Sequence, residues 1–360
     1  MTDLPPIREV YPTLPSLLRK FDKYARRDAF AGTGGPEFLR WQEGTRALLW
    51  DLLGLDKMEP CPLDPVKTES VDLSGGIVRE RWTIRTEPEV TLPFYVLLPP
   101  GAGRHTRPFL CPPGHGGAGK ASVAGLREYA AVAEKIDFYN YDYGLQLCRM
   151  GYAAVCPDAR GFGERREELE LTRALPGALT GDCYRLARMG EPLGIPAAGM
   201  LTWDLMRLLD YVEQREDWDG GNAGCLGFSG GGMQTLWLAA LDRRVCVAVI
   251  SGYLYGYKDA LLTLNENCSC NYVPHLWEHL DMGDVASLIA PRPLLVQSCR
   301  EDRLNGPRGL ANVLEQVEVV RAAYDRLGAS GRFLHQVCEG PHRWHGERLE
   351  EHLNQLLRSQ

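Results

Sequence analysis

The chain has 360 residues, a formal net charge of -7 and 44% hydrophobic residues, enough to fill the core of one large α/β domain with an appendage. The acidic balance argues against a nucleic-acid partner, and no apolar run reaches the roughly 18 residues of a membrane span. Met1 to Pro6 lack a basic region followed by an apolar core, so the expected location is the cytoplasm.

Residues 12–55 carry helical periodicity in Leu14, Leu17, Leu18 and Phe21, then in Phe38, Trp41, Leu48, Leu49 and Leu52. Gly32-Thr33-Gly34-Gly35-Pro36 separates two helices. Residues 1–60 therefore read as a helical extension. Because Trp41, Leu49 and Trp50 are too apolar to leave exposed together, it is expected to cap the active site, the alternative being an interface in a homo-oligomer. A Pro-containing connection over 60–75 follows, then paired strands at Ile77–Ile84 and Phe94–Leu98. From residue 108 strands alternate with helical patterns to the end. The fold class is α/β, a mostly parallel sheet with helices on both faces spanning 61–360.

Arg107–Cys111 reads as a strand running into Pro112-Pro113-Gly114-His115-Gly116-Gly117-Ala118-Gly119-Lys120. Glycines let a backbone N–H approach an oxyanion, so His115, Gly116 and Gly117 are candidate donors. Gly114 and Gly119-Lys120 also match most of a phosphate loop, but that motif requires Ser or Thr at 121, which is alanine. A long insertion at about 164–200 follows, opening on the charged run Glu164-Arg165-Arg166-Glu167-Glu168 and including Leu175-Pro176-Gly177. Irregular stretches of this length are lids or binding loops, while the charge run reads as a solvated face.

Gly227-Phe228-Ser229-Gly230-Gly231 is the most informative stretch. It ends the strand-like Ala223–Leu226 and opens the helical Met233–Ala240, and a G-x-S-x-G in that setting is a nucleophile elbow. Ser229 becomes the nucleophile, and the Gly230 N–H a second oxyanion donor. Tyr253, Tyr255, Tyr257, Tyr272, His275 and Trp277 then crowd one stretch, either lining a pocket or packing a lid onto the domain.

The strand Pro293–Ser298 runs into Cys299–Asn305. A carboxylate just past a strand's C-terminal end lies where open α/β sheets bind ligands, so Asp302 is the acid and Glu301 its competitor. Arg332–Cys338 alternates as a last strand, Glu339-Gly340-Pro341 breaks it, and His342 follows as the general base. His345 competes for that role. His335 inside the strand and His352 inside the final helix are structural. The order Ser, Asp, His completes a catalytic triad.

Eleven cysteines form an odd set, and Cys111, Cys156, Cys225 and Cys246 sit within apolar strand patterns, which suits free thiols in a reducing compartment. Cys268-Ser269-Cys270, with His275 and His279 nearby, is narrower than the C-x₂₋₄-C spacing of zinc sites. It reads as a packed loop. No metal and no cofactor are expected.

These parts together resemble the α/β-hydrolase superfamily, and within it the dienelactone-hydrolase and acetyl-xylan-esterase-like branch. His115-Gly116-Gly117 is similar to that group's first oxyanion loop, and the Ser229 pentapeptide to its elbow. Gly151–Glu164 resembles the strand and loop before its insertion, Pro291-Arg292-Pro293 the start of its acid-bearing strand, and Gly340–Trp344 its histidine loop. The resemblance spans roughly 75–360. One departure matters: dienelactone hydrolases proper use a cysteine nucleophile, and this chain has Ser229. The resemblance therefore implies a serine esterase or deacetylase acting on a small-molecule ester. Hydrolysis of an amide or a carbon–carbon bond is the runner-up, and a non-catalytic binding module is the reading from another class.

Overall fold

The computed structural model describes residues 8–31, 34–167, 179 and 181–358. Nine strands form one sheet: β1 (Val66–Asp72), β2 (Val78–Glu87), β3 (Val90–Leu98), β4 (Pro108–Leu110), β5 (Ala153–Pro157), β6 (Gly224–Phe228), β7 (Val247–Ser251), β8 (Leu294–Cys299) and β9 (Phe333–Cys338), in the order β1-β2-β3-β5-β4-β6-β7-β8-β9. The pairs from β1 to β5 through β2 and β3 are antiparallel, and those from β5 to β9 are parallel. The parallel strands β5 to β8 are short apolar runs buried at every position, as expected where helices cover both faces.

Among the described residues twelve helices accompany the sheet: α1 (Leu14–Tyr24), α2 (Gly35–Leu52), α3 (Lys120–Val123), α4 (Ala130–Tyr139), α5 (Tyr143–Arg149), α6 (Cys183–Gly190), α7 (Ala197–Gln214), α8 (Gly230–Leu241), α9 (Leu276–His279), α10 (Met282–Ser287), α11 (Leu310–Arg326) and α12 (Leu349–Arg358). One core joins the sheet to α2, α7, α8 and α11 through Phe38, Leu205, Trp237 and Val317. The other joins it to α4, α5 and α12 through Ile136, Leu147 and Leu353. Helix α8 is buried all round over Gly231–Ala240 and α10 at every position, whereas α1 has no buried residue.

No residue of α2 lines the cavity at Ser229, which the N-terminal extension was expected to cap. Helix α2 packs on α8, with Phe38 and Leu49 buried in the sheet-bound core. Gln42 Nε2 donates to the carbonyls of Ser287 and Ala290, both at 2.9 Å. Trp41 stacks on Phe38 with ring centroids 5.3 Å apart, whereas Trp50 is left 37% exposed. The apolar face was read correctly as one that must be covered; the covering surface is the back of α8 and α10.

The connection over 60–75 contains β1. Its side chains are exposed at nearly every position, so no alternation marks it, and only pairing with β2 makes it a strand. The charged run opening the insertion is partly engaged. Glu164 meets Lys120 at 2.6 Å and Arg81 at 3.0 Å, while Arg165 joins Arg160 on buried Asp204. Glu168 and Leu175-Pro176-Gly177 lie outside the described residues.

Candidate active site

Ser229 sits between β6 and α8 with φ 57° and ψ -122°, a backbone state that L residues avoid. The turn is tight. A Cβ on Gly231 would stand 2.2 Å from the carbonyl oxygen of Pro112, so only glycine fits there. The Ser229 N–H donates to the Ser251 carbonyl at the end of β7, at 2.8 Å, which pins the elbow to the neighbouring strand.

Asp302 follows β8 and is almost fully buried. Its Oδ1 accepts from the Leu304 N–H at 2.9 Å, and its Oδ2 lies 2.5 Å from His342 Nδ1. His342 stands on the loop after β9, its ring 4.5 Å from that of Phe228, the residue before the nucleophile. With Nδ1 held by the carboxylate, His342 Nε2 is buried and makes no hydrogen bond among the described residues. His342 and Ser229 both line a cavity of about 400 Å³. Ser229, Asp302 and His342 are thus brought to one place from the C-terminal ends of three different strands.

The competitors lie elsewhere. Glu301 is exposed, its N–H bound to the Gly340 carbonyl. His345 accepts at its backbone oxygen from Gln297 and has Nδ1 3.6 Å from Glu347. His335 Nε2 is 3.2 Å from Ser298 Oγ, and burial lowers its pKa to about 4. His352 is buried on α12.

Of the candidate oxyanion donors, Gly230 and His115 line the cavity; Gly116 and Gly117 are not among the lining residues. Gly230 is the first residue of α8, so its N–H has no carbonyl within the helix. The Gly117 carbonyl accepts from the Ser122 hydroxyl. The phosphate-loop lysine is occupied: Lys120 Nζ is buried against Asp158 at 2.5 Å and Glu164 at 2.6 Å. The lysine on which the nucleotide reading depends is thus already ion-paired.

The aromatic stretch divides. Tyr253 and Tyr255 line the Ser229 cavity together with Glu266, Asn267, Cys268 and Asn271. Tyr257, Tyr272, His275 and Trp277 border a larger cavity of about 600 Å³ against α1. The larger cavity holds none of Ser229, Asp302 and His342, whereas Ser229 and His342 both line the smaller one.

One grouping escaped the sequence reading. Cys268 and Cys270 do approach a histidine, but it is His115, together with Cys183. His275 and His279 instead pair with Glu278 and Asp28. No local spacing could reveal this, because the partners lie 68 to 155 residues apart.

Residues 14–355 match the Abhydrolase family. The chain belongs to that family. A curated relative is YtaP of Bacillus subtilis (strain 168), provisionally named a hydrolase, 31% identical over 179 residues. The match takes in 49% of this chain and only 56% of YtaP, little more than half of that relative's length. Among solved structures, a Bacteroides fragilis NCTC 9343 protein provisionally named an acetyl xylan esterase superposes with a TM-score of 0.75 at 21% identity, covering 91% of this chain and 83% of that one. A glucuronoyl esterase from Solibacter usitatus gives 0.61 at 15% identity, covering 85% and 90%. At these identities the likeness is one of fold, and this Abhydrolase-family chain shares the mixed sheet and helical layers of both.

Proposed function

We propose that the protein is a serine hydrolase that cleaves a small carboxylic ester through an acyl-enzyme. The observation that carries this reading is a strained serine at the strand–helix turn lining one cavity with His342, whose Nδ1 is held by a buried carboxylate. His342 Nε2, without a competing partner, takes the Ser229 proton as Oγ attacks the acyl carbonyl. Asp302 fixes the tautomer and stabilises the imidazolium. The Gly230 and His115 N–H groups face the developing oxyanion, each such donor being worth about 10²–10³ in rate. His342 then protonates the leaving alkoxide, and a water deprotonated by the same imidazole releases the acid.

The names of the structural relatives, an acetyl xylan esterase and a glucuronoyl esterase, support an ester over an amide. A cavity of about 400 Å³, walled by Tyr253 and Tyr255 and edged by Glu266, Asn267 and Asn271, suits a short acyl group on a polar alcohol. Eleven free thiols favour a reducing compartment.

The test is a panel of p-nitrophenyl acyl esters set beside a peptide and a diketone, with fluorophosphonate labelling of wild type and Ser229→Ala. Ester turnover and labelling, both abolished in the folded alanine variant, are expected. Turnover that survives Ser229→Ala would overturn the assignment, and cleavage of the peptide or diketone alone would move it to another bond.

A further inference from the structure

The side chains of His115, Cys183, Cys268 and Cys270 converge so that one ligand atom from each lies within 4.8 Å of all the others. The shorter separations are 3.4 Å from His115 Nε2 to Cys183 Sγ, 3.5 Å from His115 Nε2 to Cys270 Sγ, and 3.4 Å between the sulfurs of Cys183 and Cys268. Tetrahedral zinc holds sulfur at about 2.3 Å and imidazole nitrogen at about 2.0–2.1 Å, which puts the edges of its coordination polyhedron at about 3.6–3.8 Å. Three of the six edges of the cluster thus fall a few tenths of an ångström short of such a polyhedron's, and the remaining ones stay within 4.8 Å. A disulfide would need sulfurs at about 2.05 Å.

We propose that these four residues form a Cys₃His site for a zinc ion. Three thiolates and an imidazole are a soft to borderline donor set, which excludes calcium and magnesium and leaves zinc or ferrous iron as the fitting divalent ions. Four protein ligands fill a tetrahedron, so the site is closed and structural, with no position for a substrate or a reactive water. Binding converts three thiols to thiolates and releases their protons.

The surroundings fit this role. Cys183 opens α6, so its sulfur rests at a helix N-terminus, and Cys268 and Cys270 flank the start of a 3-10 turn at Ser269–Asn271. Asn271 Nδ2 donates to Cys270 Sγ at 3.6 Å and to the Cys268 carbonyl at 3.0 Å, an outer support of the kind metal thiolates carry. Phe162 meets the His115 ring edge-on at 5.0 Å. Among the other buried thiols, Cys111, Cys156 and Cys225 lie on or beside strands of the sheet.

The location gives the ion a purpose. His115 follows β4 on the oxyanion loop, Cys183 belongs to the insertion, and Cys268 lines the Ser229 cavity. An ion here fastens three separate segments into one wall of the cavity. Coordination at Nε2 also leaves the His115 proton on Nδ1, the ring atom facing Gly230: a Cβ on that glycine would stand 3.0 Å away. The site stands independently of the hydrolytic reading, since its first readout is metal content.

The test begins with the full chain expressed in zinc-replete medium and analysed by inductively coupled plasma mass spectrometry. Zinc at unit stoichiometry is expected. Protein stripped with a chelator should take up cobalt(II) and develop the visible bands of tetrahedral thiolate-ligated cobalt, and zinc should bleach them. Cys183→Ser and Cys270→Ser should each weaken zinc binding by at least about 100-fold, the upper end of what outer-shell changes cost, while Cys61→Ser should not. If a ligand variant fails to fold, the titration of stripped wild type still decides. Metal-free wild type with no cobalt bands would overturn the proposal. So would an intact mass lower by two hydrogens with Cys183 and Cys268 in one cross-linked peptide, or bands unchanged in Cys183→Ser.

Discussion

Gly252 and His342 share one small space: a Cβ on Gly252 would stand 3.1 Å from His342 Cε1 and 3.0 Å from the Phe228 ring. The glycine also has φ +62°, where a side chain is strained. Position 252, just after β7, thereby sets how closely the imidazole can approach the nucleophile. Gly252→Ala should push His342 aside by a few tenths of an ångström and lower kcat by about 10- to 100-fold, with KM changed much less. Steady-state kinetics with a short acyl ester checks this, and an unchanged kcat would free His342 from that constraint.

Asp302 and Glu301 are neighbours in sequence with opposite surroundings. Asp302→Asn keeps the shape but loses the carboxylate at His342 Nδ1, and kcat should fall by about 10⁴. His342→Ala should cost as much, whereas Glu301→Gln and His345→Ala should stay within a few fold. Comparing the four variants at saturating substrate decides the matter. The reverse ranking would move the acid by one residue or the base by three.

Burial holds the His335 pKa near 4, against about 6.5 in an unfolded chain. Its folded-state pKa is depressed, so between these values the unfolded state binds more protons and folding stability rises with pH. The contribution is complete above about 6.5 and is lost as pH falls toward 4. Urea unfolding at intervals from pH 7.5 to 4.5 should show this loss, and His335→Gln should flatten that part of the profile. A wild-type slope retained in the variant would assign the effect to other groups.

Gln42 closes two carbonyls at the junction between α2 and the segment after α10. Gln42→Ala should leave both buried and unpaired at a cost of about 1–3 kcal/mol, with a lower Tm. Because α2 lies behind α8 and not over the cavity, kcat/KM measured below the new Tm should be unchanged. A raised KM at full stability would restore the capping role.

The elbow was legible because a local pattern carried it. Glycines at 227, 230 and 231, a buried apolar strand before and a helix after are all short-range features. Asp302 and His342 could each be placed by the strand before it, leaving Glu301 one residue away and His345 three residues away as the alternatives. Legibility ended where a feature depends on what lies across space. Exposed β1 takes its strand identity from β2, and the apolar stripe of α2 could not say which surface it covers. His115 was visible as part of an oxyanion loop, but its ring nitrogen meets thiols from two other segments, which no spacing rule contains. Ala121 already argued against a phosphate loop, but that Lys120 is held by Asp158 and Glu164 depends on residues 38 and 44 positions away.

The sheet order places the two halves of the catalytic pair unequally. Ser229 leaves β6, flanked by strands on both sides, while His342 follows β9, the outermost strand, hydrogen-bonded to β8 alone. Marginal strands fray at lower free energy than central ones. Gentle heating should therefore release the base while the nucleophile's turn is still intact, so that inactivation runs ahead of the loss of secondary structure. The working temperature range of the molecule is then set by its edge rather than by its core.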